Sequence, residues 1–209
     1  MSVRIGITQR IVQASTYLEP RDALAQDWAH YMNAALPDVP WLPLPNLGSD
    51  IVQFARSWNL TGLILSGGET PGEAPLRDKT ESMLIEFARD YDLPILGVCR
   101  GLQMLAVHNG CGLAVCDPDR HAATRHKLQI THHDAAMPSV VNSFHTMTII
   151  PPLPASWNIL AVEQNDRTIE AISADGGRTV GIMWHPERES TPSNDDIMLF
   201  RRHFLPTNQ

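Results

Sequence analysis

The chain has 209 residues, 43% of them hydrophobic, which is enough for one domain with a substantial core. Its formal net charge of -7 argues against nucleic-acid binding, because a phosphate-neutralising surface needs an excess of Lys and Arg. No apolar run is long enough to span a bilayer and the first residues lack the pattern of a secretion signal, so we expect a cytoplasmic protein that does not bind membranes. Cys99, Cys111 and Cys116 form no C-x-x-C pair, which argues against a disulfide framework or a structural zinc site.

Strands and helices alternate through the first 110 residues. The patterns predict strands at 3–8, 39–44, 63–65 and 94–98, and helices at 22–36, 50–58, 75–91 and 102–108. The second half has short strands near 130 and at 147–150, 159–162, 168–172 and 179–184, with a final helix at 195–204. We therefore predict one α/β domain over residues 1–209, a three-layer sandwich with a mainly parallel central sheet and a small antiparallel addition.

A candidate nucleophile lies between the fourth predicted strand and its helix, in Gly97-Val98-Cys99-Arg100-Gly101. Small residues two before and two after a nucleophile allow a strained turn that exposes it at the sheet edge. The helix N-terminus behind Cys99 would favour its thiolate form. The alternative is a small buried cysteine in a tight strand–helix connection.

A histidine and an acid follow another predicted strand, in Trp184-His185-Pro186-Glu187. Cleavage of an amide by a thiolate needs a histidine to protonate the leaving nitrogen, and an acid two residues on can orient that ring. The alternative is a turn histidine beside a solvated Glu. The glycine-rich turn at Gly67 and Gly68 and the N–H of Arg100 are candidate oxyanion donors, although a Gly-Gly pair is usually only a turn.

Together, G-V-C-R-G-L-Q at 97–103, S-G-G at 66–68 and W-H-P-E at 184–187 resemble the class I glutamine amidotransferases. The opening I-G-I-T-Q-R, L-R-D at 76–78, V-N-S-F-H at 141–145 and T-I-E-A-I at 168–172 are similar to the gamma-glutamyl hydrolase branch. The resemblance implies a flavodoxin-like sandwich and a cysteine-dependent hydrolase that cleaves a gamma-glutamyl amide through a thioester. It implies no metal or organic cofactor.

The resemblance also implies roles for individual residues. Cys99, His185 and Glu187 correspond to the catalytic triad, and Gly68 and Arg100 to the oxyanion donors. The implied substrate contacts are Gly67, Gln103, Ser143, Phe144 and His145. Arg10 and Arg77 are further candidates because each could bind a carboxylate or phosphate at the sheet edge, with a structural salt bridge as the alternative.

The leaving group stays open in the sequence. It is an amine, as in gamma-glutamyl-GABA, or a nucleotide phosphoramidate, as in gamma-glutamyl-CDP-amidate, a substrate associated with surface-polysaccharide decoration. The cations of segment 120–127 would suit a phosphate, while the alternative is a solvated, mobile loop. Other possible functions are a glutaminase subunit that passes ammonia to a synthase and a non-catalytic binding protein. A homodimer is possible, and His132-His133-Asp134 lacks the partners expected of a metal site.

Overall fold

The computed structural model describes residues 3–132 and 137–205. The first half contains β1 (Ile5–Thr8), β2 (Arg10–Gln13), β3 (Pro20–Ala23), α1 (Asp27–Ala35), β4 (Trp41–Leu44), α2 (Ile51–Ser57), β5 (Gly62–Leu65), α3 (Pro75–Asp90), β6 (Ile95–Val98) and α4 (Arg100–His108). The second half contains β7 (Gly112–Val115), α5 (Pro118–His121), β8 (Ala122–Ile130), β9 (Val140–Phe144), β10 (Met147–Ile150), β11 (Asn158–Glu163), β12 (Ile169–Ala174), β13 (Thr179–Ile182) and α6 (Asn194–Phe204). Short 3-10 helices lie at Gly48–Asp50, Asp175–Gly177 and Pro186–Arg188.

A nine-stranded sheet forms the centre, in the order β4-β1-β5-β6-β13-β12-β11-β8-β9. The five strands from β4 to β13 are parallel, and the remaining four continue the sheet with antiparallel pairings. Two small antiparallel pairs, β2 with β3 and β7 with β10, lie outside this sheet. This architecture confirms the predicted α/β class.

Apolar side chains from the parallel strands pack against helices on both faces of the sheet. On one face, Ile7, Ile64 and Val98 belong to a core that includes residues of α1 and α6. On the other, Leu63 and Leu65 pack in a core with α2, α3 and α4. Because each strand alternates its side chains between the two faces, a short, wholly apolar strand can serve both cores. None of the helices in the described ranges is both long and apolar enough to cross a membrane.

Two predictions from the sequence were wrong. The helix predicted at 22–36 begins only at Asp27, because β3 pairs with β2 in a hairpin and holds the preceding residues extended. Segment 120–127 is not a solvated loop. It ends α5 and begins β8, which pairs with β9, and its side chains alternate between more and less buried positions. Of the His132-His133-Asp134 motif, His133 and Asp134 lie outside the described residues.

Candidate active site

Cys99 lies at a sharp bend between β6 and α4. Its φ of 52° and ψ of -105° are strained for a residue with a side chain. A Cβ atom on Gly97 would lie 2.5 Å from the carbonyl carbon of Gly101, and one on Gly101 would lie 2.1 Å from the carbonyl oxygen of Leu65. Both positions therefore need glycine, as expected of an elbow that presents its central side chain at the sheet edge.

His185 lies beside this bend because β13 is the parallel neighbour of β6, so both strands end at the same edge. The Nδ1 atom of His185 lies 2.7 Å from Oε1 of Glu187, and both residues are buried. This contact leaves Nε2 as the ring nitrogen available to Cys99, and His185 is close enough to lower the pKa of the Cys99 thiol. The structure thus brings together the three residues predicted as a triad.

The electrostatics of this group favour an ion pair. Burial by itself would raise the pKa of the Cys99 thiol, but the charge and hydrogen bond of His185 outweigh it and hold that pKa below its ordinary value. Burial would lower the pKa of His185, but the Cys99 thiolate and the Glu187 carboxylate raise it to about 9. Both shifts favour a thiolate facing an imidazolium over the neutral pair, and the thiolate is the reactive form of a cysteine nucleophile.

Asn142 fixes the backbone of His185. Its Oδ1 accepts from the His185 N–H at 2.9 Å, and its Nδ2 donates to the His185 carbonyl at 2.8 Å. Asn142 lies within one of the motifs noted in the sequence, but no role was predicted for it. The resemblance assigned only its neighbours in that motif to the substrate. The role of Asn142 could not be predicted, because a contact between β9 and the segment after β13 leaves no local signal in the sequence.

The predicted oxyanion turn packs directly against the triad. A Cβ atom on Gly67 would lie 2.6 Å from Cε1 of His185, so a side chain there would displace the imidazole. Gly68 has a φ of 153°, and a Cβ atom on it would lie 2.3 Å from Nη1 of Arg77. The turn therefore needs both glycines, and the N–H groups of Gly68 and Arg100 stay the predicted oxyanion donors.

Arg77 supports this turn from beneath. Its guanidinium is fully buried and donates to the carbonyls of Ser66 at 2.8 Å and Gly67 at 3.2 Å. It also forms ion pairs with Glu81 at 2.9 Å and Glu69 at 3.2 Å. This is the structural salt bridge left open as an alternative, and full burial leaves Arg77 no surface for the predicted substrate contact.

Glu81 is an important site residue that was not predicted from the sequence. It is fully buried and accepts hydrogen bonds from Thr8 at 2.8 Å, from Arg77 and from the guanidinium of Arg100. A second carboxylate, Asp78, also pairs with Arg100. The available signal was the spacing of Arg77 and Glu81, which places them one turn apart on a helix.

Three of the predicted substrate contacts use their polar atoms within the protein. Nε2 of Gln103 donates to the Met147 carbonyl at 3.1 Å. The Ser143 hydroxyl donates to the His121 carbonyl at 2.7 Å and is fully buried. His145 is also buried, with its Nδ1 3.0 Å from the Met147 carbonyl. Any contact of these residues with a substrate stays a prediction.

Phe144 and Arg10 do have exposed surface. The Phe144 ring packs edge-on against His185, with 5.8 Å between centroids, and 40% of the residue is exposed. About half of the Arg10 side chain is exposed, and its Nε lies 3.7 Å from Glu69 near the Gly68 turn. Both residues therefore border the site from the solvent side.

A cavity of about 300 Å³ opens beside Phe144 and reaches Asn142, the residue that fixes the His185 backbone. It is lined by Ala123, Thr124, Arg125, Asn142, Phe144, Arg188 and Glu189. The Arg188 guanidinium stacks on the Phe144 ring, 4.5 Å from its centroid. Within residues 3–132 and 137–205, no carboxylate forms an ion pair with Arg188, whereas Arg125 pairs with Glu189 at 2.8 Å.

The family comparison identifies the class of this site. The model for Peptidase C26 matches residues 5–187, which include every residue of the predicted triad. The chain belongs to the Peptidase C26 family. This membership confirms the resemblance inferred from the three motifs and the expectation of a hydrolase.

Individual relatives match different shares of the chain. The chain is 32% identical over 200 residues to a gamma-glutamyl-CDP-amidate hydrolase of Campylobacter jejuni, covering 93% of this chain and 94% of that protein. It is 28% identical to a glutamine-hydrolysing GMP synthase subunit of Methanothrix thermoacetophila, over 65% of this chain and 72% of the relative. A glutamine amidotransferase structure from Thermotoga maritima shares the fold, with a TM-score of 0.64, 16% identity and coverage of 97% and 84%.

Proposed function

We propose that this member of the Peptidase C26 family hydrolyses a gamma-glutamyl amide by covalent catalysis on Cys99, and that the leaving group carries a phosphate, as in gamma-glutamyl-CDP-amidate. The observation that carries the catalytic part is the buried Cys99–His185–Glu187 group at a strained elbow, with a lowered thiol pKa and an imidazole pKa of about 9. The 32% identity to the Campylobacter jejuni hydrolase over 93% of this chain supports the substrate class.

In the first half-reaction, the Cys99 thiolate adds to the gamma-carbonyl carbon. The N–H groups of Gly68 and Arg100 stabilise the oxyanion that forms. The imidazolium of His185 gives its proton to the leaving nitrogen as the C–N bond breaks, which leaves a gamma-glutamyl thioester on the sulfur. Glu187 keeps the imidazole in the required orientation and stabilises its charge.

In the second half-reaction, neutral His185 removes a proton from water. The hydroxide adds to the thioester carbonyl, the C–S bond breaks, and glutamate leaves. The sulfur departs as thiolate while His185 keeps the proton, which restores the starting ion pair. Every step uses groups of the chain and water.

The cavity beside Phe144 supports a phosphorylated leaving group. Arg188 lies at its wall with no carboxylate partner in the described ranges, so its charge is available to a ligand. A planar guanidinium is well suited to bind phosphate oxygens through two parallel hydrogen bonds. Because the Phe144 ring contacts both Arg188 and His185, an anion bound there would lie close to the proton donor for the leaving nitrogen.

The test compares purified wild type on gamma-glutamyl-CDP-amidate, gamma-glutamyl-GABA and glutamine by kcat/KM. We expect the phosphoramidate to be the best substrate. Faster turnover of glutamine would favour the glutaminase alternative. A binding protein would be favoured if no gamma-glutamyl compound were turned over and none labelled Cys99.

Substitution of Arg188 tests the phosphate contact separately. Hydrogen bonds to charged groups contribute about 1.5–3 kcal/mol, so Arg188→Gln should lower kcat/KM for the phosphoramidate by about 10- to 150-fold. Activity on gamma-glutamyl-GABA should change little. The control is Arg178→Gln, at a half-exposed arginine before β13 and thus at the opposite edge of the sheet. Equal losses on both substrates would contradict a phosphate contact.

A further inference from the structure

A second cluster of chemically active side chains lies buried behind β9. The Glu170 carboxylate, on β12, is surrounded by ring nitrogens of three histidines: His126 Nε2 at 3.2 Å, His145 Nε2 at 3.5 Å and His121 Nδ1 at 4.0 Å. All four side chains are at least nine-tenths buried. The proposed hydrolysis uses none of them.

The hydrogen bonds on the far sides of two rings fix where their protons lie. Nε2 of His121 lies 2.8 Å from the Asp166 carboxylate, and Nδ1 of His145 lies 3.0 Å from the Met147 carbonyl. A carboxylate and a carbonyl only accept, so each of these nitrogens carries a hydrogen. In each neutral ring the other nitrogen is then an unprotonated lone pair, and both lone pairs face Glu170.

Lone pairs that converge on a carboxylate repel it unless a proton or a metal cation lies between them. In the described ranges, the facing nitrogens of His121, His126 and His145 have no hydrogen-bond partner, and neither has Oε2 of Glu170. A proton on His145 would offset the Glu170 charge, because burial lowers the pKa of His145 but Cys116 and Glu170 raise it to about 10; the facing nitrogens of His121 and His126 would still have no partner. One divalent ion would satisfy all four groups at once.

We propose that His121, His126, His145 and Glu170 bind a divalent transition metal ion, with zinc as the best match. The donor atoms of His121, His126 and Glu170 all lie within 4.8 Å of one another. Zinc–ligand bonds of about 2.0–2.2 Å in a tetrahedron place ligands roughly 3.2–3.6 Å apart, so the donor atoms would move closer together when the ion binds. The proposal departs from the sequence-based expectation that the chain binds no metal.

The surroundings of His121 match those of a metal ligand. Histidines that bind metals usually donate their second ring N–H to a carboxylate or carbonyl, which sets the tautomer and the ring orientation. Asp166 accepts the second ring N–H of His121 in this way. The Asp166 carboxylate in turn accepts from the N–H and the hydroxyl of Thr168, at 3.1 and 3.0 Å. The Met147 carbonyl accepts the second ring N–H of His145.

The ion would be structural. It would join the end of α5, the middle of β8 and the residue after β9 to the start of β12, and it lies outside the triad. It would affect the active site electrostatically, because after His185 the charge of His145 also lowers the pKa of Cys99. It would also affect it structurally, because His145 directly follows Phe144 and Ser143 donates to the His121 carbonyl. A metal site here would therefore fix the part of β9 that borders the proposed leaving-group cavity.

The experiment measures metal content and its effect on folding. Full-length protein without a histidine tag is stripped with a chelator, returned to zinc, dialysed and analysed by mass spectrometry of its metals. We expect about one zinc per chain, visible d–d bands of a tetrahedral site with cobalt, and a Tm increase of about 5–10 °C at free zinc 100-fold above Kd.

Three variants locate the ion. His126→Gln should abolish stoichiometric zinc and the Tm increase, and Asp166→Asn should weaken zinc affinity by about 10- to 100-fold. His30→Gln, at an exposed histidine of α1, should bind like wild type. Circular dichroism checks that each variant folds. The proposal would be overturned if stripped wild type took up no zinc and showed no Tm shift, or if His126→Gln took up as much zinc as wild type. The four side chains would then be a buried cluster held together by shared protons.

Discussion

The buried acid Glu81 should be essential both for the stability of the fold and for the geometry of the site. It is fully buried and lies between two buried guanidinium groups, those of Arg77 and Arg100. Glu81→Gln keeps the shape of the side chain and removes its charge. Both arginines then lose a common counter-ion in a place that water does not reach.

The loss of stability depends on which ion pairs Arg77 and Arg100 keep in the variant. Breaking a buried ion pair by removing one partner costs about 3–5 kcal/mol, because a buried charge is left uncompensated. We expect the lower end, about 3 kcal/mol, since Arg77 keeps Glu69 and Arg100 keeps Asp78. For a chain of this size, that loss corresponds to a decrease in Tm of about 6–12 °C.

The assay is reversible urea unfolding followed by circular dichroism, with kcat/KM measured on the same preparations. Activity should fall as well, because Arg77 holds the carbonyls of Ser66 and Gly67 beside His185. Glu73→Gln is the matched control: this exposed glutamate precedes the same helix and should change stability by less than about 0.5 kcal/mol. A loss below about 1 kcal/mol for Glu81→Gln would refute the view that this acid anchors the turn.

Three further predictions concern the triad. Cys99→Ala should abolish both hydrolysis and labelling by an electrophilic glutamine analogue, whereas Cys111→Ala should keep both; labelling that survives Cys99→Ala would contradict the assigned nucleophile. The pH profile of kcat/KM should be bell-shaped: the Cys99 pKa is lowered, so activity rises with pH through a value below that of a free thiol, and it falls near pH 9 as His185 loses its proton. An acidic limb at the free-thiol pKa would speak against the ion pair. Asn142→Ala should lower kcat by about 10- to 100-fold with a smaller change in KM, because it frees the His185 backbone; the exposed Asn158→Ala is the control, and equal kcat values would exclude a positioning role.

Local patterns were sufficient to predict the parallel part of the sheet. Short apolar strands alternating with amphipathic helices predict a parallel sheet, and the ends of its neighbouring strands share one edge. Cys99 directly follows β6 and His185 lies three residues after β13, so the strand assignment placed each near a strand end, while the two motifs and their resemblance predicted the triad. The same reasoning could not predict that β6 and β13 are direct neighbours, because their pairing depends on the whole sheet.

The features that the sequence did not predict depend on distant contacts. Segment 120–127 contains several cations and histidines, which locally resembles a solvated surface. In the structure, pairing of β8 with β9 and β11 turns His126 inward towards Glu170. Asn142 was missed for the same reason, since a polar residue in a strand shows no local sign of a buried partner, and for Glu81 the only local signal was its i,i+4 spacing from Arg77.

The two parts of the sheet contribute different components to the site, and this division has a consequence for specificity. The parallel part supplies the elbow of Cys99 and ends in the segment that carries His185. The cavity proposed for the leaving group is lined mainly by the antiparallel strands β8 and β9, through Thr124, Arg125 and Phe144. Substitutions on these two strands can therefore change the cavity without altering the bend that strains the nucleophile. We expect enzymes with this arrangement to differ in leaving group chiefly through β8 and β9, and to keep one chemistry at the sheet edge.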